Sequence, residues 1–292
     1  MRKLSVPSRT AILSCLIEGN SINSTARICH VSKLTVLRLL ADVGSLCADL
    51  HDKMVRNVPS KRVQVDEIWS FVGCKEANKK RGKIGDGDAW TFCAIDADSK
   101  LVISYLVGLR NLDCAKAFVR DMADRLSNRI QLTSDGYKPY FTAVVNAFGW
   151  DGADFAQLLK LYGNEPERTA EARYSPNRCI GTLTRVMTGE PDRDHISTSY
   201  SERLNLTTRM TNRRFTRLTN AFSKRWRNHE HALALHYFCY NFVRKHGTLG
   251  MTPAMAAGLA DKPWTIEMLV AILVAREEQN KGCGRINRED RS

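Results

Sequence analysis

No run of eighteen or more apolar residues occurs in this 292-residue chain, which argues against a bilayer-spanning helix. The opening Met-Arg-Lys-Leu-Ser-Val-Pro-Ser-Arg lacks the apolar core of a signal peptide, so a cytoplasmic protein with no membrane partner is expected. The nine cysteines (15, 29, 47, 74, 93, 114, 179, 239 and 283) are scattered and odd in number, and none forms Cys-x-x-Cys. Both a zinc ribbon and a disulfide framework are therefore disfavoured, and reduced thiols packed as small hydrophobes suit the spacing better. Acids are also in deficit. Lys+Arg number 44 against 31 Asp+Glu, for a net charge of +13 and a pI near 9.5. Such an excess points to a polyanionic partner.

The positive charge is clustered. Residues 1–62 carry ten Lys/Arg against four acids, and Tyr200–His231 carries eight against Glu202 and Glu230. Within the first cluster, residues 9–45 read as three short helices. Ala11, Ile12, Cys15 and Leu16 form one apolar face, and Glu-Gly-Asn-Ser at 18–21 breaks it. Ile22, Ala26 and Ile28 begin a second helix, and Ser32 is a good N-cap for a third with Val36, Leu37, Leu39 and Leu40 turned inward. This is a helix-turn-helix pattern in which Arg27, Lys33, Thr35 and Arg38 could meet a DNA groove or its phosphates; the alternative is a plain packing bundle. Residues 1–45 are accordingly read as a DNA-binding domain, and the polar, basic stretch 46–62 as a linker.

Beyond it, Val63–Gly73, Ala89–Ile95 and Leu101–Val107 are rich in β-branched and aromatic residues and suggest an antiparallel meander, with 75–88 as a long loop. Ala115, Val119, Met122 and Leu126 recur at helical spacing. Ile130–Thr133 reads as another strand, and Tyr140, Val144 and Ala147 mark a further helix. The order implies an α+β architecture with a mixed sheet. Phe155–Tyr162 reads as a weak strand or short helix, and 163–199, with its prolines and glycines, as irregular.

Three acids stand in distinctive settings: Asp66 in Val-Gln-Val-Asp-Glu-Ile-Trp-Ser-Phe, Asp135 in Leu-Thr-Ser-Asp-Gly-Tyr, and Glu202 in Ser-Tyr-Ser-Glu-Arg-Leu-Asn. One interrupts a strand, one follows a strand and one opens a helix, so they can converge. Converging carboxylates repel one another unless they hold cations, and Mg²⁺ or Mn²⁺ on few carboxylates suits phosphate chemistry. In a basic chain the phosphate indicated is nucleic acid.

These motifs, with Arg-Phe-Thr-Arg-Leu-Thr-Asn-Ala-Phe-Ser-Lys at 214–224 and Tyr-Asn-Phe-Val-Arg-Lys-His-Gly-Thr-Leu-Gly-Met-Thr-Pro-Ala at 240–254, carry a resemblance over nearly the whole chain. It resembles bacterial insertion-sequence transposases of the DDE class, and is most similar to the family of insertion sequence one. The resemblance implies a ribonuclease-H-like, integrase-like catalytic domain over 63–228, followed by a C-terminal helical segment over 229–292. It implies Asp66, Asp135 and Glu202 as catalytic and metal-binding residues, with two Mg²⁺ or Mn²⁺ ions roughly 4 Å apart that activate a water or 3′-hydroxyl. It further implies double-stranded DNA, both element ends and target, as partner, and a homo-oligomer in the active complex. The alternatives are a nuclease of the same fold that cuts without joining, and an inactive helix-turn-helix regulator.

Other residues were weighed for these roles. Glu67 points away from Asp66 by strand alternation and reads as structural. Asp96 and Asp98 read as turn residues, and Glu190, Asp192 and Asp194 as loop charges. Arg209 lies at i+7 from Glu202, on the same helical face; it serves either a phosphate near the metals or a helix-face salt bridge, and the resemblance favours the first. Arg213, Arg214, Arg217 and Lys224 suit contacts to the DNA backbone, where charge and reach suffice. His229, His231 and His236 lack His-Glu-x-x-His spacing, and the aromatic series Tyr237–Phe242 reads as core.

Overall fold

The computed structural model describes residues 4–79, 85–163, 179–216 and 219–289. Three helices open the chain: α1 (Val6–Ile17), α2 (Ile22–Ile28) and α3 (Lys33–Met54). Each is capped by a serine, Ser5, Ser21 or Ser32, whose hydroxyl accepts the backbone N–H three residues on, from Ser8, Ser24 and Thr35 respectively. Gly19, at φ +79°, supplies the left-handed turn after α1. α3 continues through 46–54, where the charges suggested a linker. Leu46, Cys47 and His51 recur at helical spacing and are buried, while Asp49, Asp52 and Lys53 face outward, so the polar run is one side of an amphipathic helix.

The next strands and helices are β1 (Arg62–Val72), β2 (Gly87–Asp96), β3 (Val102–Gly108), α4 (Leu112–Ala123), β4 (Ile130–Ser134), α5 (Pro139–Phe148), β5 (Ala153–Tyr162), β6 (Cys179–Thr188) and α6 (Ser199–Thr211). The strands form one sheet in the order β3-β2-β1-β4-β5-β6. β1 and β4 run parallel, as do β4 and β5, while β6 runs antiparallel to β5. Parallel neighbours need a crossover. α4 lies between β3 and β4, and α5 between β4 and β5. α4 packs on β3 and on α5, and α5 also contacts β5. The α+β architecture with a mixed sheet is thus present. The resolved strand β6 replaces the irregular reading of that stretch. Seven of its ten residues are exposed, so it carries little hydrophobic pattern.

The chain forms two compact units, each assembled from separated segments. One comprises Asn57–Ile68 and Thr91–Leu204. Its core holds Val63 and Val65 of β1, Phe92 of β2, Phe118 of α4, Leu132 of β4, Tyr140 of α5 and Phe155 of β5, all buried. Phe92 lies 5.6 Å from Phe118 and 6.4 Å edge-on from Tyr140 between ring centroids. Asp96 closes the β2–β3 turn by accepting the Ser99 N–H and hydroxyl, and Asp98 pairs with Arg62.

The other unit comprises Met1–Arg56, Trp69–Trp90 and Asn205–Ser292, and includes α7 (Trp226–Phe242), α8 (Pro253–Ala256) and α9 (Ile266–Glu289). α3 packs along α7. Gly44 permits this approach, because a Cβ there would stand 2.7 Å from the His231 Cα and backbone oxygen. Tyr237, Phe238, Tyr240 and Phe242 are buried, as expected of core aromatics. Among the described residues, no helix is long and apolar enough to cross a membrane.

Candidate active site

The parallel pairing of β1 with β4 sets Val65 opposite Ser134. The next residue on each strand is an acid, so register alone brings Asp66 beside Asp135. Asp135 is fixed by a local turn in which the Tyr137 N–H donates to its Oδ1 at 3.0 Å. Asp66 is turned along its own strand, its Oδ1 accepting the Glu67 N–H at 2.8 Å. Asp66, Glu67 and Asp135 each offer a carboxylate oxygen, and these three oxygens lie within 4.8 Å of one another.

That geometry corrects the reading of Glu67. Its side chain does reach into the core, where Oε1 accepts Arg110 Nε at 2.7 Å and Oε2 accepts the Tyr140 hydroxyl at 2.9 Å. It nevertheless belongs to the same acidic group as Asp66 and Asp135. With both oxygens occupied, Glu67 anchors Arg110, whose guanidinium also lies 4.4 Å from the Tyr137 ring centroid.

Glu202 is delivered by a different device. The side-chain oxygen of Gln64 accepts the backbone N–H groups of Tyr200 and Ser201, at 2.8 and 3.1 Å, in the first turn of α6. Gln64 stands two residues before Asp66 and therefore on the same face of β1. The strand that carries the first acid thus also holds the helix that carries the third. The Glu202 carboxylate is occupied by Lys160 Nζ at 2.5 Å and by the Thr198 hydroxyl at 2.7 Å. It does not belong to the oxygens that cluster around Asp66, but its charge still reaches Asp66.

Burial is the main reason the Asp66 pKa rises to about 7, followed by the charges of Asp135, Glu67 and, more weakly, Glu202. Glu67 is also raised, by burial and then by Asp135, against the lowering effect of Arg110 and Tyr140. Crowded carboxylates of this kind form a hard oxygen donor set, which fits a divalent cation such as Mg²⁺ or Mn²⁺. Asp66, Glu67 and Asp135 are the residues whose oxygens stand close enough together to hold it.

Arg209 lies further along α6 and is half-buried. Arg27, Lys33 and Arg38 are exposed on α2 and α3. Thr35 differs, because its hydroxyl is paired with Ser32 at 2.8 Å in the helix cap. Arg213 is exposed, while Arg214 has its Nε buried. Lys224 is exposed, with Nζ 2.8 Å from the Phe222 ring centroid. Arg217 lies outside the described residues. His229 and His236 are buried, and among the described residues the only histidine, cysteine or carboxylate group with metal-ligand geometry is Asp66, Glu67 and Asp135.

Sequence reading missed Gln64, Lys160, Thr198, Arg110 and Tyr140. The even spacing of Gln64 and Asp66 within one strand was a usable signal for the first. The others meet the acids only through folding.

Sequence comparison matches the chain to no protein family and to no curated protein. Among solved structures, a piggyBac transposase synaptic complex with hairpin DNA is similar at 10% identity and a TM-score of 0.39, with 93% of this chain and 71% of that chain covered.

Proposed function

We propose that the chain is a DNA transposase of the insertion-sequence kind, acting on phosphodiester bonds through Asp66, Asp135 and Glu202. The observation that carries the reading is the convergence on β1: Asp66 lies beside Asp135 through strand register, and Gln64 on the same face holds the helix of Glu202. In this reading the helix-turn-helix of residues 1–45 grips the terminal inverted repeats, its third helix running on to Met54 ahead of the catalytic region 63–228, and 229–292 is a supporting helical segment. The protein works in the cytoplasm as a homo-oligomer on double-stranded DNA.

A bound pair of Mg²⁺ or Mn²⁺ ions would supply activation of the nucleophile and stabilisation of the leaving oxygen. The residues of the chain prepare that chemistry. Asp66 and Asp135 hold negative oxygens at fixed separation, and Arg110, anchored by Glu67, offsets part of their charge. Lys160 holds Glu202 in its first-turn position. In cleavage, a water oxygen bonds to phosphorus, the bond to the 3′-oxygen breaks, and that oxygen takes up a proton to leave as a hydroxyl. In joining, the freed 3′-hydroxyl gives up its proton as its oxygen bonds to a target phosphorus, the target strand's own bond from that phosphorus to its 3′-oxygen breaks, and that oxygen takes up a proton to leave as a hydroxyl. Both are in-line displacements, and neither needs a covalent enzyme intermediate.

The test is incubation of the purified protein with a labelled element end, a target plasmid and Mg²⁺. Joined products are expected from the wild type. Asp66→Asn, Asp135→Asn and Glu202→Gln should each lose cleavage and joining while still binding the end. Glu67→Gln should fold less stably but retain partial activity, since Tyr140 can still donate to the amide oxygen. Cleavage without joining would reduce the reading to a nuclease, and no metal-dependent cleavage would reduce it to a DNA-binding regulator.

A further inference from the structure

Away from the carboxylates, the unit containing α1–α3 and α7 has a cavity of about 660 Å³ between α2, the start of α3, residues 211–214 and 219–224, and α7. Among the described residues its lining includes the cations Lys33, Arg213, Arg214 and Lys224 and no carboxylate. Hydroxyl and amide groups, among them Ser24 and Asn220, line it as well. A basic wall without acids in a concave space is unusual in a protein that could have paired each arginine internally. Arg213, Arg214 and Lys224 are not among the ion pairs the described residues form.

Arg214 makes the feature specific. Its Nε is buried and has no hydrogen-bond partner within the protein. Leaving a charged donor in this state costs far more than leaving it in water, so buried guanidinium groups are normally matched by an anion. Desolvation draws the Arg214 pKa down to about 10, and no carboxylate appears among the causes to raise it again. The volume falls within the range of small-ligand sites and exceeds what a bare phosphate would fill.

We propose that this cavity is a phosphate-binding site of single-nucleotide size, in which the Arg214 guanidinium pairs with the phosphate and Lys33, Arg213 and Lys224 neutralise its remaining charge. A strand of DNA and a free nucleotide offer the same phosphate chemistry to this site. Only the strand as source rests on the transposase reading; the anion site does not.

The experiment is titration calorimetry on the full chain in EDTA, with deoxyadenosine monophosphate, inorganic phosphate and deoxyadenosine as probes. The monophosphate should bind, the nucleoside should not, and inorganic phosphate should bind at least about tenfold more weakly. Removing one charge-assisted hydrogen bond should cost about tenfold in affinity. Arg214→Gln tests this directly, and Lys224→Gln tests it at an exposed position where folding is not at risk. Absence of monophosphate binding, or equal affinity in the Lys224→Gln protein, overturns the site. Equal affinity for inorganic phosphate overturns its size class. Competition by a short DNA duplex identifies the strand as source, and lack of competition identifies the free nucleotide; either supports the site. Because no metal is present, failure here leaves the cleavage and joining assay unaffected, and failure of that assay leaves this one unaffected.

Discussion

At the residue scale, Asp66 and the buried histidines make opposite demands on pH. His229 and His236 are pushed down to about 3 by burial, with Arg214 and Arg244 respectively adding to the effect. Below pH 6.5 the unfolded chain therefore takes up protons that the native state refuses, and stability falls as pH drops from 6.5 toward 3. Asp66, raised to about 7, does the reverse: its contribution is fully present below its unfolded value of 3.8 and is lost as pH rises to about 7. Each group contributes at most about 1.4 kcal/mol per pH unit in its window; Glu67 and Asp42 are raised and His231 is lowered by smaller amounts, so the two large histidine shifts outweigh the one large aspartate shift. The unfolding midpoint in EDTA should decline from pH 6.5 to pH 4, and His229→Gln should flatten the decline while keeping partners for Ser70 and Ser223. A midpoint that climbs on acidification would show that the carboxylates dominate instead.

At the scale of elements, α6 depends on β1. Gln64 satisfies two first-turn N–H groups of a helix that begins with Ser-Tyr-Ser-Glu, and Glu202 lies in that turn. Gln64→Ala should cost about 0.5–2 kcal/mol, as loss of a helix cap does, and should let the first turn fray. Amide exchange at 199–204 should speed up, and cleavage should fall although every acid remains. Unchanged exchange in this segment would mean that α6 is held from elsewhere. α3 illustrates a similar dependence inside its own unit, since its buried face meets α7 at Gly44. A fragment ending near residue 50 would expose that face and should not be a faithful test of DNA binding by α2 and α3.

For the whole molecule, a net charge of +13 makes affinity for nucleic acid a matter of ionic strength. Each phosphate neutralised lowers the logarithm of affinity by about 0.9 per decade of salt, so a duplex contacted at six phosphates should bind roughly 10³-fold more weakly at 200 mM than at 50 mM. Filter binding or fluorescence anisotropy across that range checks the expectation. A slope near zero would mean that the basic surface does not contact the backbone, whatever the acids do.

How much could be read without coordinates varied with the reach of each interaction. Strands β1 to β4 and helices α1, α2, α4 and α5 were legible because their apolar residues repeat with the period of the element. β6 was not, since an exposed edge strand has little apolar pattern, and α3 was cut short because its charged outer face resembles a linker. Asp66, Asp135 and Glu202 stood out by local setting, and the presence of acids suited to phosphate chemistry in a basic chain is a property of the sequence by itself. Their arrangement is tertiary. The β1–β4 register brings two acids together, Gln64 fastens α6, and Lys160 holds Glu202 from a strand forty-two residues away. Periodicity is written in neighbours along the chain, whereas these contacts join residues that only the folded sheet makes neighbours in space.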